Sequence, residues 1–402
     1  MEVVRPVLSR LSLRVATGYT GNINKTVKPN LMMKYYKNFR ISDDENYRMG
    51  YINNAPNPKL RWEKTRDVKV ALDFGLWKDR INGIVEAYWR KSKDCVTSEY
   101  VPVTTGFFNQ SYNTSVLQNN GVEFSLSVAV LKSKDYNLSV SANVAWNQNK
   151  LKKYNSPNTS LALDKYVGYP MGAVFSGKYE GIDPETGMYK FKLRPDAVTN
   201  KDGYLREPNN YYYYLGTSVA PFTGGFNLNF SYKNIGLSVG GSYSVKAKMV
   251  DNIESPAGYE LLSGSKLESI PTPHNDLYRN HLNVKREVRN RWTPENRTGV
   301  KYPRLIDAYG KKLGLDLTNP TLTTITRGAL LEDISYLRIN TIALSYSLPQ
   351  RVLERINFSS AALNLTLNNF FTITKYSGID PEVPGATYPV SRSVTIGLNV
   401  GF

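Results

Sequence analysis

The chain has 402 residues, 51 of them Lys or Arg against 34 Asp or Glu, and a formal net charge of +17. Its single cysteine, Cys95, excludes an internal disulfide framework and any multi-cysteine metal site. No apolar run reaches the length of about 18 residues that a membrane-spanning helix needs. The mean hydropathy of −0.41 is still compatible with a membrane β-barrel, because half of each barrel strand is polar.

The positive charge does not predict nucleic-acid binding. The basic residues are scattered, and the densest cluster, residues 285–292, includes a Glu and lies in a region without strand pattern. We therefore expect no nucleic-acid partner. We expect the positively charged side chains to lie in solvated loops and in a barrel lumen. The alternative is that they contact anions, either lipopolysaccharide phosphates or an acidic ligand.

Strict alternation of apolar and polar residues predicts amphipathic strands along most of the chain. In chain order the alternating segments are residues 11–16, 68–76, 120–131, 137–146, 226–232, 235–245, 363–368 and 393–402. The short connections 78–79, 132–135 and 233–234 are expected as periplasmic turns. The regions 147–219 and 250–327, where alternation fades, are expected as extracellular loops.

The last ten residues carry the clearest pattern. One face of this strand is apolar and the other bears Ser, Thr, Gly and Asn, as a wall between lipid and a wet lumen requires. The pattern predicts an all-β fold, a transmembrane antiparallel up-and-down β-barrel, as one domain over residues 1–402. The terminal aromatic resembles the closing strand of bacterial outer-membrane proteins. The residues expected on the lipid side of this barrel-closing strand are Val394, Ile396, Leu398, Val400 and Phe402.

Five segments, in order, resemble SusC/RagA-type TonB-dependent outer-membrane transporters of Bacteroidetes. They are residues 60–94, 181–191, 290–305, 331–356 and 370–402. Ile334 departs from the family, which often has a small residue there. Plugged outer-membrane transporters have 22 strands, whereas we count about twelve here. With no segment that reads as a signal sequence or plug domain, the resemblance implies the C-terminal half of a 22-stranded barrel, without the plug domain and the N-terminal strands.

The resemblance also implies a function and partners. The expected function is nutrient import across the bacterial outer membrane, of a glycan or a peptide, without a cofactor and without enzymatic activity. A SusD-like surface lipoprotein would capture the nutrient, and TonB would act through the missing N-terminal region. Lipid and lipopolysaccharide would surround the barrel. A structural or surface-adhesion barrel without transport stays open as the alternative.

Candidate site residues are few. The tyrosine run and a nearby arginine could stack on a sugar or peptide, although packing between loops is an equal alternative. These candidate ligand contacts are Arg206, Tyr211, Tyr212, Tyr213 and Tyr214.

Other polar groups have simpler expected roles. Two Asp-Pro-Glu segments, with Asp183 and Glu185 and with Asp380 and Glu382, predict turns rather than calcium sites. Glu332 and Asp333 are expected at a strand boundary rather than as acid–base catalysts. A hydrolase would have to use His274 or His281, the only two histidines, and neither has a recognisable nucleophile partner.

Overall fold

A computed structural model describes most of the strand-rich part of the chain. The described residues are 7–23, 27, 29–30, 33–37, 48–52, 54–107, 109–155, 166–185, 187, 189–192, 194–195, 212–250, 289–300, 328, 331–355, 357–384 and 388–402. The chain divides into two compact units. Unit 1 comprises Met1–Lys132 and Ser139–Met171, and unit 2 comprises Ser133–Leu138 and Gly172–Phe402. The single-domain organisation stays a prediction.

Regular structure in the described residues is almost entirely β. The strands are β1 (Leu8–Asn22), β2 (Met33–Lys37), β3 (Arg48–Ile52), β4 (Asn54–Ala55), β5 (Glu63–Leu76), β6 (Ile81–Tyr100), β7 (Asn109–Lys132), β8 (Tyr136–Tyr154), β9 (Ala173–Ile182), β10 (Tyr189–Lys192), β11 (Tyr212–Thr217), β12 (Phe222–Tyr232), β13 (Ile235–Val245), β14 (Lys248–Val250), β15 (Leu331–Asp333), β16 (Tyr336–Ser347), β17 (Ser360–Thr374) and β18 (Ser393–Gly401). The helices are a 3₁₀ turn at Val103–Thr105 and α1 (Gln350–Arg355). Neither described helix is long and apolar enough to cross a membrane.

Unit 1 is built on one sheet in the order β1-β5-β6-β7-β8, with β4 pairing β7 in parallel. The register of strands β1, β5, β6 and β7 aligns apolar residues in rows across all four strands, because directly paired residues point to the same side of the sheet. One such row is Leu13–Leu72–Val85–Phe124, and the next is Val15–Val70–Ala87–Val122. We call this side the apolar face and the opposite side the polar face.

Within unit 2, strands pair in the order β12-β13-β16-β17-β18. Its apolar rows cross five strands. One row is Phe230–Leu237–Leu344–Leu365–Ile396, and the next is Leu228–Val239–Ile342–Leu367–Val394. A separate three-stranded sheet, β10-β9-β11, and the pair β14-β15 complete the described strands of this unit.

Short turns join the strands of each unit at one end, which we call the turn edge; the opposite end is the loop edge. The predicted short connections are present: β5 ends at Leu76 before β6 at Ile81, and β12 ends at Tyr232 before β13 at Ile235. Exposed aromatic rings accompany the turn edge of unit 2, where Tyr136 and Tyr232 stack with centroids 6.1 Å apart. Such rings are typical of a membrane interface.

The prediction for residues 147–219 was wrong in one respect. Strand β8 continues to Tyr154, and β9, β10 and β11 lie inside the region that was expected to be loop. Their pattern is not alternating because this small sheet has register shifts at Lys190/Phe191 and at Tyr214/Gly216. Such irregularities break the period of two on which the strand prediction depends.

Candidate functional site

The polar face of unit 1 is charged and its charges are paired across strands. Arg14 of β1 contacts Asp73 of β5 with a shortest separation of 2.7 Å, and Lys69 of β5 contacts Glu86 of β6 at 3.0 Å. Asp67 and Arg90 form a further pair on this face at 2.9 Å. Because all three pairs are partly exposed, each contributes little to stability. Their effect is to make this wall strongly polar without a large net charge.

The polar face of unit 2 is uncharged across its central rows. The Thr341 hydroxyl donates to Asn368 at 3.1 Å, and the Asn368 amide donates to Ser393 at 3.0 Å, which links three strands. Ser238 likewise donates to Asn229 at 2.8 Å. Small side chains leave an open depression of about 340 Å³, whose lining includes Gly236 and Ala343. In these central rows the polar face offers hydrogen-bonding groups and carries no charged side chain.

Of the candidate ligand residues, the structure places three in β11. Arg206 and Tyr211 lie outside the described residues, and for Tyr212 only the backbone is described. The ring of Tyr214 lies 5.8 Å from that of Phe175, centroid to centroid, and the residue is 41% exposed. One part of Tyr214 therefore packs on the β9–β11 sheet while another part is available to solvent.

Both Asp-Pro-Glu segments form the same turn. The Glu185 amide donates to Asp183 Oδ1 at 2.8 Å, and the Glu382 amide donates to Asp380 Oδ1 at 2.9 Å. An aspartate that accepts from the amide two residues later is typical of an Asx turn. The first turn is held further by Trp292, whose indole nitrogen donates to the Pro184 carbonyl at 2.9 Å.

The second turn is fixed by a buried ion pair that the sequence analysis missed. Arg338 of β16 is 2% exposed and hydrogen-bonds to Asp380, which is 6% exposed. Glu382 Oε2 lies 3.3 Å from the Nε atom of Arg338, as an ion pair rather than a hydrogen bond. The Val390 amide donates to the second Asp380 oxygen at 3.2 Å. These contacts hold Asp380, Glu382 and Val390 against β16 at the loop edge.

The electrostatics favour an ionised Asp380. Burial alone raises the pKa of Asp380. The amides of Glu382 and Val390 and the guanidinium of Arg338 act in the opposite direction and outweigh burial, so the pKa of Asp380 lies below its ordinary value.

Glu332 and Asp333, the two acidic residues just before β16, accept hydrogen bonds from nearby loop residues. Glu332 accepts hydrogen bonds from the amide of Ser377, at 2.8 Å, and from its hydroxyl. Asp333 accepts from the Ser335 amide at 2.8 Å. Ile334, the departure from the family pattern, is buried in a cluster with Ala247 and Tyr376. The side chain of Ile334, which is larger than the small residue that the family often has there, thus fills space near the loop edge.

A buried carboxylate in unit 1 was also missed. Glu99 is fully buried, and the Tyr154 hydroxyl lies 2.5 and 2.6 Å from its two oxygens. Thr97 donates to Glu99 at 2.7 Å and also contacts Thr114. Together these contacts tie the loop-edge ends of β6, β7 and β8. The alternation pattern gives no signal for them, because the partners come from distant parts of the chain.

Two candidates of the hydrolase alternative, His274 and His281, lie outside the described residues. Among the residues that the structure does describe, no group of three or more His, Cys, Asp or Glu could hold a metal ion. Cys95 is a buried free thiol in β6.

Comparison with known proteins places these features in a family context. No protein-family model matches the chain. It is 26% identical over 427 aligned residues to the TonB-dependent receptor SusC of Bacteroides thetaiotaomicron, covering 98% of this chain and 38% of that protein. It is 25% identical to the TonB-dependent receptor P26 of Formosa agariphila, covering 87% of this chain and 36% of that protein.

Solved structures agree. The RagAB peptide transporter matches with a TM-score of 0.73 and 27% identity, over 98% of this chain and 41% of the matched chain. An open-open state of the RagAB peptide importer matches with a TM-score of 0.70 and 26% identity. This likeness confirms the predicted fold class, an antiparallel outer-membrane β-barrel in part. The chain spans less than half the length of these relatives and, over nearly all of its own length, resembles SusC/RagA-type TonB-dependent transporters in both sequence and fold.

Proposed function

We propose that this chain forms the C-terminal part of the barrel wall of a TonB-dependent nutrient importer in the bacterial outer membrane. The observation that carries the proposal is the set of apolar rows that cross five strands and end in β18. There Val394, Ile396 and Leu398 are 57%, 73% and 66% exposed. A continuous apolar surface of this kind would promote aggregation in water, whereas a membrane barrel needs it to face the lipid.

The polar faces would line the interior of the importer. Hydrogen-bonding and ion-paired walls suit a lumen that holds water, a plug domain or a passing polar solute. The proposed role involves no bond chemistry, and the relatives are named as receptors and transporters, which supports a non-enzymatic role.

The proposed partners follow from the relatives. The name TonB-dependent receptor supports energisation by TonB, through a region outside this chain. The RagAB peptide importer supports a peptide as one ligand class. A SusD-like surface lipoprotein stays the proposed second component, and a glycan stays the other proposed ligand class. We keep Arg206 and the tyrosines of residues 211–214 as proposed ligand contacts. Among those that the structure describes, Tyr214 is the best placed, because its ring packs near that of Phe175 while the residue is 41% exposed to solvent.

Uptake by cells tests the proposal. Cells with the complete gene, cells without it and cells without TonB would each receive a mixture of oligosaccharides and peptides, with depletion followed by mass spectrometry. We expect a defined subset to disappear only when both the gene and TonB are present. An adhesion barrel would deplete nothing. A surface hydrolase would release shorter products regardless of TonB, and either of these results would refute import.

A further inference from the structure

We propose that four basic residues on the apolar face of unit 1, at its loop edge, bind the phosphates of a phosphorylated glycolipid in the outer leaflet. We call these residues the basic patch: Lys64 and Arg66 of β5 with Lys91 and Lys93 of β6. The inference rests on the proposed function, which puts this face in the membrane. It deepens that function by assigning lipid contact to particular side chains.

The register sets like charges directly opposite each other. Arg66 pairs with Lys91, and Lys64 pairs with Lys93. Side chains at such positions stand about 5 Å apart, and the two pairs are separated by about 7 Å along the strands. Like charges in direct opposition destabilise a sheet. A bound phosphate that bridges two cations would relieve this repulsion with charge-assisted hydrogen bonds.

The acids nearest in sequence are engaged elsewhere. Asp67 points to the polar face and pairs with Arg90 at 2.9 Å. Glu63 accepts from the amide of Val96 at 2.9 Å and from the side chain of Asn22 at 2.8 Å.

Asp94 lies near enough to Lys64 and Lys93 to feel their charge, but its hydrogen bond goes to Arg61 at 2.6 Å. All four patch residues are exposed, and none of them forms an ion pair within the described part of unit 1. The patch is thus a cluster of four positive charges, and the nearby carboxylate of Asp94 is hydrogen-bonded to Arg61 instead.

The height of the patch fits a headgroup. Moving along β5 from the turn edge, the apolar face runs from Leu76 to Val68, eight residues at about 3.4 Å each, or some 27 Å. With the strand tilt of about 35–45° usual in barrels, this length spans about 19–22 Å of an apolar band that is about 25 Å tall. Arg66 and Lys64 therefore lie at the outer border of the band, from which their long side chains can extend to the lipid phosphates.

Aromatic rings mark the same level. Tyr19 pairs with Arg66 and is 78% exposed, and Trp89 pairs with Val68 and is 49% exposed. The indole of Trp62 packs over Gly21, the residue paired with Lys64. From the turn edge to the loop edge, the apolar rows are therefore followed by a level that holds both aromatic and basic side chains. This order favours a lipid with an anionic headgroup over a soluble anion, which would not need the apolar and aromatic rows.

The test uses the complete protein purified in detergent and stripped of lipid. Binding of lipopolysaccharide from the host is compared with binding of the same material after enzymatic removal of its phosphates. For Arg66→Gln with Lys91→Gln we expect affinity for the phosphorylated form to fall by about thirtyfold. The matched control, Lys78→Gln with Lys132→Gln, removes the same charge at the turn edge of unit 1 and should bind like the parent.

Without lipid, the patch variant should unfold at a temperature no lower than the parent, because it loses only repulsion. Should it fail to assemble, Lys64→Gln with Lys93→Gln replaces it. Equal binding of both lipid forms by the parent, or equal loss in patch and control variants, would overturn the inference. A parent that bound neither form would also overturn the inference, whereas the proposed function would then be decided by the uptake experiment.

Discussion

At the scale of single residues, the two faces of a strand should respond differently to the same substitution. Ile396 lies in the third apolar row from the turn edge of unit 2, and its neighbour Thr395 lies on the polar face. Arg at the lipid-facing position near the midplane costs about 2–4 kcal/mol. We therefore expect Ile396→Arg to lower the amount of assembled protein in the outer membrane strongly, and Thr395→Arg to lower it little. Immunoblots of purified outer membranes measure this; equal loss would show that the faces are misassigned.

The buried pair Arg338–Asp380 makes a pH-dependent contribution. The pKa of Asp380 is lowered in the folded protein. Its stabilising effect should therefore be complete at neutral pH, above the ordinary carboxyl pKa of about 3.9, and should disappear as the pH falls through the lower folded value.

Asp380→Asn keeps the turn-forming oxygen and removes the charge that compensates Arg338. We expect a cost of about 3–5 kcal/mol at pH 7, because a buried guanidinium loses its main partner. The difference in unfolding temperature between parent and variant should stay constant from pH 7 to about pH 5 and shrink below about pH 4. Glu354→Gln, an exposed carboxylate of α1, serves as the control. A difference that does not depend on pH would contradict the ionised pair.

At the scale of elements, strand pairing depends on glycines beneath aromatic rings. Gly83 of β6 pairs with Phe74 of β5, whose ring occupies the space that a Cβ at residue 83 would need. Gly83→Ala should destabilise the protein by about 1–3 kcal/mol through this overlap.

Phe74→Leu combined with Gly83→Ala should recover part of that loss, since the smaller side chain leaves the space open. Urea unfolding in detergent of both single variants and the double variant gives the coupling energy. Additive effects would mean that the ring does not lie over Gly83.

Alternation identified the membrane strands well because one physical requirement governs each of them. The segment 235–245 coincides with β13, and 393–402 covers β18, since every second residue of these strands faces the same surroundings. Among the described residues, ten long strands pair in sequence in the main sheet, whereas about twelve membrane strands were expected.

Elements outside this requirement were not predictable. Strands β9 and β11 pack against each other through Phe175 and Tyr214, and their register shifts next to Gly216, which has a φ of 139°. The pairing of Arg338 with Asp380, 42 residues later, depends on how a loop folds back, which no local pattern reports. The basic patch needed the register as well: in the sequence, Arg66 and Lys91 are simply two charges in separate strands.

At the scale of the whole molecule, we propose that each unit presents its apolar face to lipid and its polar face to an aqueous interior. This chain contributes a single cysteine, so replacing Cys95 by Ser, together with any cysteine in the rest of the complete protein, gives a background without thiols. Nitroxide labels placed one at a time at positions 393–401 of the complete protein in lipid vesicles would be probed with oxygen, which concentrates in lipid, and with a water-soluble nickel chelate. We expect the labels at positions 394, 396, 398 and 400 to be the most accessible to oxygen, and the labels between them to be the most accessible to the nickel chelate. Reversed accessibilities, or no alternation at all, would contradict this proposal.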